Sequence, residues 1–379
     1  MKQNDRVKLL ILLPQLKQGG AEGVVRTLVE SLDKNRFEPS LAWFHGECHS
    51  PFSELKDIPM YFLNKKPGFD PKVIWRLVRI IISKKIMIVN AHHFMPLLYA
   101  YPVCKLTGSK VTHTEHSVFD ANHDRQSRKK IAAFIYRTSN AVIGVSPEVT
   151  DFFENKYQVR KNILKTIVNG IDTQIYKPRE KNVDFLKSIG IDFDTLLIGM
   201  TGNLRKLKNH KFLIQSFIKV LKHYQNTRLI LIGQGFENDD ENSETELKHI
   251  VSSNSITDKV FFLGYRTDVH QILNNIDIFC LTSLREGLPL SLIEAMASGI
   301  PVVGTNVQGI KHVIHSGQNG FLVPLNDIDH LTYILCKLIS NKVLRKKIAQ
   351  NARLYVEQKY DVKQFVHKYE TVFQSLVKN

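Results

Sequence analysis

The chain has 379 residues, 43% of them hydrophobic, which is long enough for two domains of ordinary size with packed cores. Four scattered cysteines without paired spacing argue against a disulfide framework and against a zinc site, and they fit a reducing cytoplasm. The net charge of +16 is uneven, because residues 1–170 carry 26 Lys and Arg against 15 Asp and Glu.

The first apolar run, Val7–Leu13, predicts a buried strand. Neither this run nor any later one approaches the ~20 apolar residues that cross a bilayer. Gln15 and Lys17 follow it without a small-residue cleavage site, so we expect no signal peptide and predict a cytoplasmic protein. Gly19 and Gly20 come next. Adjacent glycines let a ligand approach the backbone, although a plain strand–helix turn explains them as well.

Short apolar runs then alternate with helical patterns, at residues 41–44, 60–63, 86–91, 110–114 and 141–145. This alternation is typical of βαβ units and predicts a parallel sheet, which binds ligands at the carboxyl ends of its strands. His92 and His93 follow the third run, and Glu115 and His116 follow the fourth. A histidine in such a place is more often structural, which we expect of His92 and His93, whereas His116 is the better candidate for function.

A basic amphipathic helix is predicted to begin at Pro71, with Asp70 as its cap. Five cations surround its apolar stripe: Lys72, Arg76, Arg79, Lys84 and Lys85. A second basic cluster follows later in the chain and comprises Arg125, Arg128, Lys129, Lys130 and Arg137. Both segments can be packing helices with solvated cations. They can also dock on an anionic membrane surface, which would place the protein peripherally on the inner face of the cytoplasmic membrane.

A turn-rich segment at residues 168–178 ends the first series of strands, so we predict a first domain of residues 1–178 followed by a polar linker. The second domain is predicted to span residues 190–357 and to open with the strand Leu196–Thr201. A basic turn containing Arg205 and Lys208 follows that strand. Such a turn can hold a diphosphate, although a basic turn considered alone is more often solvated.

Three patterns in the second half do not point to a site. The segment Gly233-Gln-Gly235 lacks the third glycine of a dinucleotide-binding fingerprint. The acidic run at residues 237–246 is predicted to be a solvated loop. Asp192-x-Asp194 lacks further ligands, so we expect no metal there.

The most informative segment begins with an apolar strand at residues 276–281, which leads into a loop with Glu286. A helix is predicted to start at Pro289, and Glu294 would then lie about two turns into that helix. A helix N-terminus is a site for phosphate because its first backbone N–H groups are unsatisfied. The N–H groups expected to be free there are those of Gly287, Leu288 and Leu290.

Glu286-x7-Glu294 is followed by Ala-Met-Ala-Ser-Gly-Ile-Pro-Val-Val. This pattern resembles the signature of the retaining glycosyltransferases of family 4, which have the GT-B fold. The resemblance covers nearly the whole chain, strongly from Gly199 onward and more weakly between residues 37 and 110. It implies an α/β protein with two doubly wound, Rossmann-like domains facing a cleft, and a last helix within residues 358–379 that crosses back to the N-terminal domain.

The resemblance also implies an activity. A family member transfers a sugar, here a hexosyl or N-acetylhexosaminyl group, from a nucleoside diphosphate donor to an acceptor hydroxyl with retention at the anomeric carbon. UDP is the expected carrier. The expected acceptor is a lipid-linked or polysaccharide-precursor glycan of bacterial surface polysaccharide synthesis, bound by the N-terminal domain. No cofactor, metal or nucleic acid is expected, because protein cations stabilise the leaving diphosphate.

Individual residues take roles through this resemblance. Glu286 would hold the donor sugar and Glu294 the ribose, while Lys208 would stabilise the departing diphosphate. The family also uses an arginine there, whose usual position is occupied by Asn203. Arg205, two residues later, is therefore expected to substitute for it.

Other positions match further parts of the family pattern. His116 matches the histidine that faces the donor sugar and the acceptor, with His113 as the alternative counterpart. Gly19 and Gly20 match the glycine loop beside the diphosphate. The remaining residues expected to contact the donor are Gly264, Tyr265, Gly287, Leu288, Pro289 and Leu290.

Two other classes of protein stay open from sequence. A nucleotide-sugar epimerase can share the fold, and it would convert its donor with no acceptor present. A non-catalytic polyanion-binding protein would explain the positive charge, and its binding would depend strongly on salt. The two glutamates argue against the second class, because they would repel phosphates unless hydroxyl groups lay beside them.

Overall fold

The structure is a computed structural model that describes residues 6–16, 20–48, 52–118, 126–236 and 239–378. The chain forms two compact units. The first comprises Met1–Gly170 and Val362–Asn379, and the second comprises Ile171–Asp361. The division falls before the predicted boundary at residue 178, so the turn-rich segment 171–178 belongs to the second unit. No helix in the described ranges is long and apolar enough to cross a membrane.

The strands of the first unit are β1 (Val7–Leu13), β2 (Phe37–Trp43), β3 (Met60–Phe62), β4 (Ile88–His92), β5 (Lys110–Glu115), β6 (Ala141–Gly144) and β7 (Leu164–Thr166). Within the described residues they form one parallel sheet in the order β3-β2-β1-β4-β5-β6-β7. The sequence predicts all of them except β7. That strand is missed because Leu164 is its only buried residue, so no apolar run marks it.

The helices of the first unit are α1 (Gly20–Ser31), α2 (Pro71–Lys84), α3 (Phe94–Thr107), α4 (Gln126–Thr138), α5 (Pro147–Tyr157) and, from the end of the chain, α14 (Val362–Lys378). The Asp70 carboxylate accepts from the Lys72 N–H and caps α2, with Pro71 as its first residue, as the sequence predicts. Helices cover both faces of the sheet. On β5, His113 packs against Tyr136 of α4, whereas the next residue contacts α14.

The last helix belongs to the first unit, as the family resemblance implies. It packs against α1, and its Glu370 carboxylate is buried. One carboxylate oxygen accepts from the Asp33 N–H at 2.9 Å and the other from Arg36 Nη1 at 3.0 Å. The Tyr369 hydroxyl lies 3.3 Å from the Thr114 hydroxyl at the centre of the sheet. The 17 residues of α14 therefore complete the core of the first unit.

The second unit repeats this architecture. Its strands are β8 (Leu196–Thr201), β9 (Thr227–Ile232), β10 (Val260–Phe262), β11 (Ile278–Leu281), β12 (Val302–Thr305) and β13 (Phe321–Val323). Its helices are α6 (Val183–Ser188), α7 (His210–Leu221), α8 (Glu244–Ser253), α9 (Val269–Leu273), α10 (Leu290–Ala297), α11 (Gln308–Lys311), α12 (Ile328–Ser340) and α13 (Lys342–Lys359). The described strands form a parallel sheet in the order β10-β9-β8-β11-β12-β13.

Both strand orders reverse direction once, between β1 and β4 in the first unit and between β8 and β11 in the second. This is the order of a doubly wound, Rossmann-like fold, so the predicted fold class is confirmed. In such sheets, the connections on the two sides of the reversal leave in opposite directions and open a crevice at the carboxyl ends of the strands. The loops after β1, β4, β8 and β11 are therefore the first places to look for a site.

The buried carboxylate of Glu370 predicts a difference in stability between two ion pairs. Glu370→Ala leaves the Asp33 N–H and the Arg36 guanidinium without their acceptor, so we expect urea unfolding to show a loss of about 2 kcal/mol. Glu246→Ala is the matched control, because it removes an exposed pair with Lys211 and should change the free energy of unfolding by less than about 0.5 kcal/mol. Equal losses in the two variants would contradict this account of α14.

Candidate functional site

The loops after β8 and β11 meet at the carboxyl edge of the second sheet. The loop after β8 contains a 3-10 turn, Lys206–Lys208, and Asn209 in the left-handed conformation with φ of 53°. The Thr282 hydroxyl at the end of β11 donates to the Asn209 carbonyl at 3.0 Å. The Leu284 N–H donates to the Leu207 carbonyl at 2.9 Å. These bonds hold the basic turn against the loop that carries the first glutamate.

Lys208 and Glu286 form an ion pair in this place. Lys208 Nζ lies 2.6 Å from Glu286 Oε1, and the same oxygen accepts from the Ser283 hydroxyl at 2.5 Å. The exposed fractions of the two charged side chains are 24% and 11%, and Ser283 is buried. The sequence predicts that these two charges share one site, and the structure brings them together.

Gly309 in α11 lies directly against the backbone of the Glu286 loop. A Cβ atom on Gly309 would lie 2.5 Å from the Glu286 carbonyl oxygen and 2.4 Å from that of Gly287. Contacts that short are not possible, so any larger residue would displace the loop. Sequence reasoning assigns no role to this glycine, because nothing in its neighbourhood indicates which loop it touches.

The helix after this loop begins one residue later than predicted. Pro289 is the cap of α10 rather than its first residue, and α10 begins at Leu290. The prediction of a free Leu290 N–H is wrong, because this group donates to the Leu288 carbonyl at 3.0 Å. Glu294 is accordingly the fifth residue of α10, just over one turn from its start, rather than two turns.

Glu294 is half-buried and forms a hydrogen bond with the Tyr176 hydroxyl. Burial raises the pKa of its carboxyl to about 7, although the hydrogen bond from Tyr176 opposes this. Burial and Glu294 together raise the pKa of Tyr176 well above its ordinary value. Tyr176 is held in place through its carbonyl oxygen, which accepts from Arg353 Nη1 at 2.6 Å. Sequence reasoning missed Tyr176, since it placed that segment in the other domain.

Arg205 is paired with Asp239 in the structure. Arg205 Nε lies 2.7 Å from one carboxylate oxygen of Asp239, and Nη2 lies 3.1 Å from the other. The backbone N–H of Glu241 and the Arg205 guanidinium lower the pKa of Asp239. The sequence predicts the acidic run to be a solvated loop, which is true of only part of it. One of its residues, Asp239, holds Arg205, and its last residues begin α8. The role of Arg205 toward a diphosphate stays a prediction.

Three glycines lie close together where β8, β9 and β10 end. The Gly233 N–H donates to the Gly264 carbonyl at 2.9 Å, and a Cβ atom on Gly233 would lie only 2.0 Å from the Gly202 carbonyl oxygen. Gly264 has φ of +64°, a conformation that favours glycine. Tyr265 follows and is 45% exposed, at the rim of this edge. Contact of Gly264 and Tyr265 with a nucleobase stays a prediction.

The first unit has a cluster of histidines at the carboxyl ends of β4 and β5. His92 Nδ1 lies 2.8 Å from His116 Nε2, and His92 Nε2 lies 2.8 Å from Asn90 Oδ1. Burial lowers the pKa of His116 to about 3, so its ring is neutral at ordinary pH. His113, the alternative functional histidine, is buried between aromatic rings, with Nδ1 3.2 Å from the Ala91 carbonyl. Of the two, His116 is the one at the rim.

Glu115 is the buried anion of this cluster. Its Oε1 atom accepts from the backbone N–H of His116 at 3.0 Å and lies 3.3 Å from His93 Nδ1, and Oε2 lies 3.5 Å from His113 Nε2. Burial opposes its ionisation, but the rings of His113 and His93 outweigh burial and hold the pKa of Glu115 far below its ordinary value. His93 has φ of +66°, which is uncommon for a residue with a side chain, and it is the residue before the first turn of α3.

Two further expectations concern the glycine loop and metals. Gly20 is exposed and is the first residue of α1, whereas Gly19 lies outside the described residues. In the described ranges, no three His, Cys, Asp or Glu side chains lie where they could hold a metal ion together. Independence from metal stays a prediction.

Residues 18–175 match the family described as Glycosyltransferase Family 4, and residues 184–355 match the family described as Glycosyl transferases group 1. The two matches follow one another along the chain and correspond to the two units. This chain belongs to the group 1, family 4 glycosyltransferases.

Relatives of this glycosyltransferase are distant but extensive. N-acetyl-alpha-D-glucosaminyl L-malate synthase of Bacillus anthracis is 25% identical over 326 residues, which cover 85% of this chain and 83% of that protein. UDP-Gal:alpha-D-GlcNAc-diphosphoundecaprenol alpha-1,3-galactosyltransferase of Escherichia coli is 24% identical over 323 residues, which cover 82% and 81%.

Solved structures agree with the fold. Anabaena HepE, in complex with UDP and glucose, superposes with a TM-score of 0.85 at 21% identity and covers 98% of this chain and 100% of that one. A glycosyltransferase of Rickettsia africae superposes with a TM-score of 0.86 at 21% identity and covers 99% and 100%. At this identity the two structures establish the GT-B fold of the glycosyltransferase.

The titration of Glu294 predicts how the stability of this glycosyltransferase depends on pH. Its pKa is about 7 in the folded chain, above its ordinary value of 4.5, so the folded state binds the proton more tightly. Stability should therefore fall as the pH rises from about 4.5 to about 7. The side chain in Glu294→Gln cannot titrate. Denaturation at several pH values should therefore show the free energy of unfolding of the variant rising relative to that of the parent by on the order of 2 kcal/mol across that window.

The control for this experiment is Glu246→Gln, which changes an exposed carboxyl whose pair with Lys211 is solvated. Its stability should follow that of the parent at every pH. Parallel pH profiles for Glu294→Gln and the parent would show that Glu294 titrates normally and would overturn this description of α10.

Proposed function

We propose that this glycosyltransferase transfers a hexosyl or N-acetylhexosaminyl group from a UDP-sugar to an acceptor hydroxyl, with retention at the anomeric carbon. The acceptor in this proposal is a lipid-linked or polysaccharide-precursor glycan of bacterial surface polysaccharide synthesis, and not a nucleic acid. The name of the Escherichia coli relative, which includes UDP-Gal and a diphosphoundecaprenol-linked sugar, supports both parts. The complex of Anabaena HepE with UDP and glucose supports the donor.

The pairing of Lys208 with Glu286 is the observation that carries the proposal. Breaking the bond between a sugar and a diphosphate leaves negative charge on the diphosphate and positive charge on the sugar. The Lys208 ammonium and the N-terminus of α10 offset the first charge, and Glu286 accepts hydrogen bonds from the sugar hydroxyls. A cation and a hydrogen-bond acceptor 2.6 Å apart suit the junction between sugar and diphosphate.

Further parts of the donor are assigned to neighbouring elements of the second unit. Glu294 accepts from the ribose hydroxyls, and the backbone at Gly264 and Tyr265 contacts the base. Arg205 contributes to holding the diphosphate, for which its pair with Asp239 has to open. Since Lys208 already supplies a cation, we propose that transfer needs no metal and no cofactor, so that its rate with a chelator equals its rate without one.

His116 of the first unit orients the donor sugar or the acceptor in this proposal. Its ring is neutral, so it can contact hydroxyl groups without attracting the diphosphate. The Glu115 carboxylate fixes the backbone of His116, and the His92 ring fixes its side chain.

Two substitutions test the assignment in the second unit. Lys208→Ala and Glu286→Ala should each lower kcat by roughly 100-fold or more, because each removes a charge that acts on the transition state. The donor is first identified by thermal-shift screening against nucleotide-sugars, and transfer and donor hydrolysis are then measured. Lys211→Ala, which removes an exposed cation on α7, is the control and should retain the parent rate. Activity within about twofold of the parent in both site variants would refute the assignment.

A second proposal concerns the partner of the first unit, which we infer to be an anionic membrane surface. Large apolar side chains are exposed on α2, α3 and α4, and α3 packs against both of its neighbours. With the exposed fraction of each, they are Trp75 (63%), Ile82 (63%), Leu106 (76%), Ile131 (52%) and Phe134 (60%). We call these residues, with the cations between them, the basic-apolar face.

Charge on the basic-apolar face favours anionic lipid. Trp75 and Ile82 lie about two turns apart on α2, with Arg79 between them in the helix and its guanidinium 5.6 Å from the Trp75 ring. The exposed cations on these three helices include Lys72, Lys84, Lys85, Lys105, Arg128, Lys129, Lys130 and Arg137. Apolar side chains that enter the headgroup region and cations that attract anionic lipid are the two components of peripheral binding. A lipid-linked acceptor would be reached from such a surface.

Vesicle co-sedimentation tests this partner. The protein should bind vesicles that contain phosphatidylglycerol and not vesicles of phosphatidylcholine alone, and Trp75→Ala/Phe134→Ala should bind at least roughly tenfold more weakly. Tyr333→Ala/Val343→Ala is the matched control, because it removes two exposed apolar side chains from the second unit. Equal binding to both kinds of vesicle, or to neither, would count against the membrane surface.

A further inference from the structure

A row of buried polar side chains leads to His116 from inside the first sheet. Strand alternation places Asn90 and His92 on one face of β4, beside Thr112 and Thr114 on β5. All four are buried, and the row ends at the Tyr369 hydroxyl of α14. Buried polar groups have to satisfy one another, so each hydrogen bond in this row constrains the next.

The amide of Asn90 has a defined orientation in the row. Its nitrogen donates to the hydroxyls of Thr112 at 2.9 Å and Thr114 at 3.1 Å, and the Thr112 hydroxyl donates to the Val89 carbonyl at 3.5 Å. Asn90 Oδ1 therefore faces His92 Nε2, 2.8 Å away. Because an amide oxygen only accepts, His92 Nε2 has to carry a proton.

The position of the proton on His92 in turn determines the position of the proton on His116. Burial and the neighbouring histidine rings lower the pKa of His92 well below its ordinary value, so the ring is neutral and carries one proton. With that proton on Nε2, His92 Nδ1 has a lone pair and accepts from His116 Nε2 at 2.8 Å. His116 is neutral as well, so its proton is on Nε2 and its Nδ1 has a lone pair.

We propose that His92 is a positioning residue, which holds His116 in the tautomer with an unprotonated Nδ1 and so makes it an acceptor for a hydroxyl hydrogen. The ligand that suits this atom is a hydroxyl group of a sugar or acceptor, whereas a phosphate oxygen would need a donor in its place. The consequence for catalysis rests on the proposed function, but the tautomer does not. His92 thereby gains a role that sequence reasoning, which expects it to be structural, does not assign.

The tautomer is tested directly by NMR on the full chain labelled with 15N-histidine, with resonances assigned from His92→Gln and His116→Gln. We expect a scalar coupling across the hydrogen bond between His116 Nε2 and His92 Nδ1, and an unprotonated His116 Nδ1. In His92→Phe the His116 signals should shift toward the average of both tautomers. A protonated His116 Nδ1 in the parent, or the absence of the coupling, would overturn the proposal whatever the activity of the protein.

Kinetics test whether His92 acts through His116. His92→Phe keeps a ring but has no nitrogen, and it should lower kcat roughly tenfold or more with a smaller change in KM. His92→Gln offers an amide oxygen and nitrogen and should recover part of the loss. In a His116→Gln background, His92→Phe should have little further effect, because the group that it positions is gone. Fully additive losses would show a merely structural role and would refute the proposal.

Two comparisons keep the outcomes apart. Ser40→Ala removes a buried hydrogen bond to the Leu9 carbonyl in the same sheet and should change neither kcat nor the His116 signals. If the parent transfers no sugar at all, the proposed function is refuted. The NMR experiment still decides whether His116 has the proposed tautomer. If His92→Phe does not fold, the coupling and the tautomer in the parent decide the proposal.

Discussion

The ion pair between Lys208 and Glu286 is the interaction on which the second unit's site depends. The two residues are 78 positions apart, and they meet because β8 and β11 are neighbours on the two sides of the strand reversal. An ion pair that is largely removed from water contributes little to folding, since the cost of desolvating both charges offsets most of their attraction. The pair is therefore not a large source of stability, and the proposed function uses it as two charges that meet a ligand.

The surrounding contacts fit that interpretation, because they restrain the loops rather than the charges themselves. Backbone and hydroxyl hydrogen bonds join Thr282 to Asn209 and Leu284 to Leu207, and Gly309 leaves room for the Glu286 carbonyl. Side chains supported in this way lose little freedom when a ligand binds, and they meet it in a fixed geometry. In the proposed function, this single cation and single carboxylate act on adjoining parts of one donor molecule.

The two units use the same topology for different chemistry. In the second unit, the loops at the strand reversal present charges, namely Lys208, Glu286 and Arg205, and Arg205 pairs with Asp239 of the loop after β9. In the first unit, the carboxyl ends of β4 and β5 present His92 and His116, whose burial keeps them neutral, with Glu115 as the buried anion beside them. Charged groups suit a diphosphate, and neutral hydrogen-bonding groups suit hydroxyls. This difference supports the proposed division between a donor-binding and an acceptor-binding unit, which the family resemblance implies.

Sequence patterns reveal the parts of this structure that depend on local order. Apolar runs locate β1 and β8 because their side chains are almost all buried, and the spacing between Glu286 and Glu294 is readable from one segment. The start of α10 is missed by one residue, since Pro289 adopts φ of −81° with ψ of 78°, which is not helical. Only the strand register places Asn90 beside Thr112, so no pattern within one segment predicts that row.

The orientation of His116 depends on residues outside its own sequence motif. Its backbone N–H is held by Glu115, whose side chain lies on the face of β5 that packs against α4 and α5. Its ring is held by His92, whose side chain lies on the opposite face of the sheet, toward α14. The residue is therefore constrained from both layers of helices, including one formed by the end of the chain. His116 keeps one orientation because buried groups on both faces of the sheet hold it, and its proposed tautomer comes from the His92 face alone.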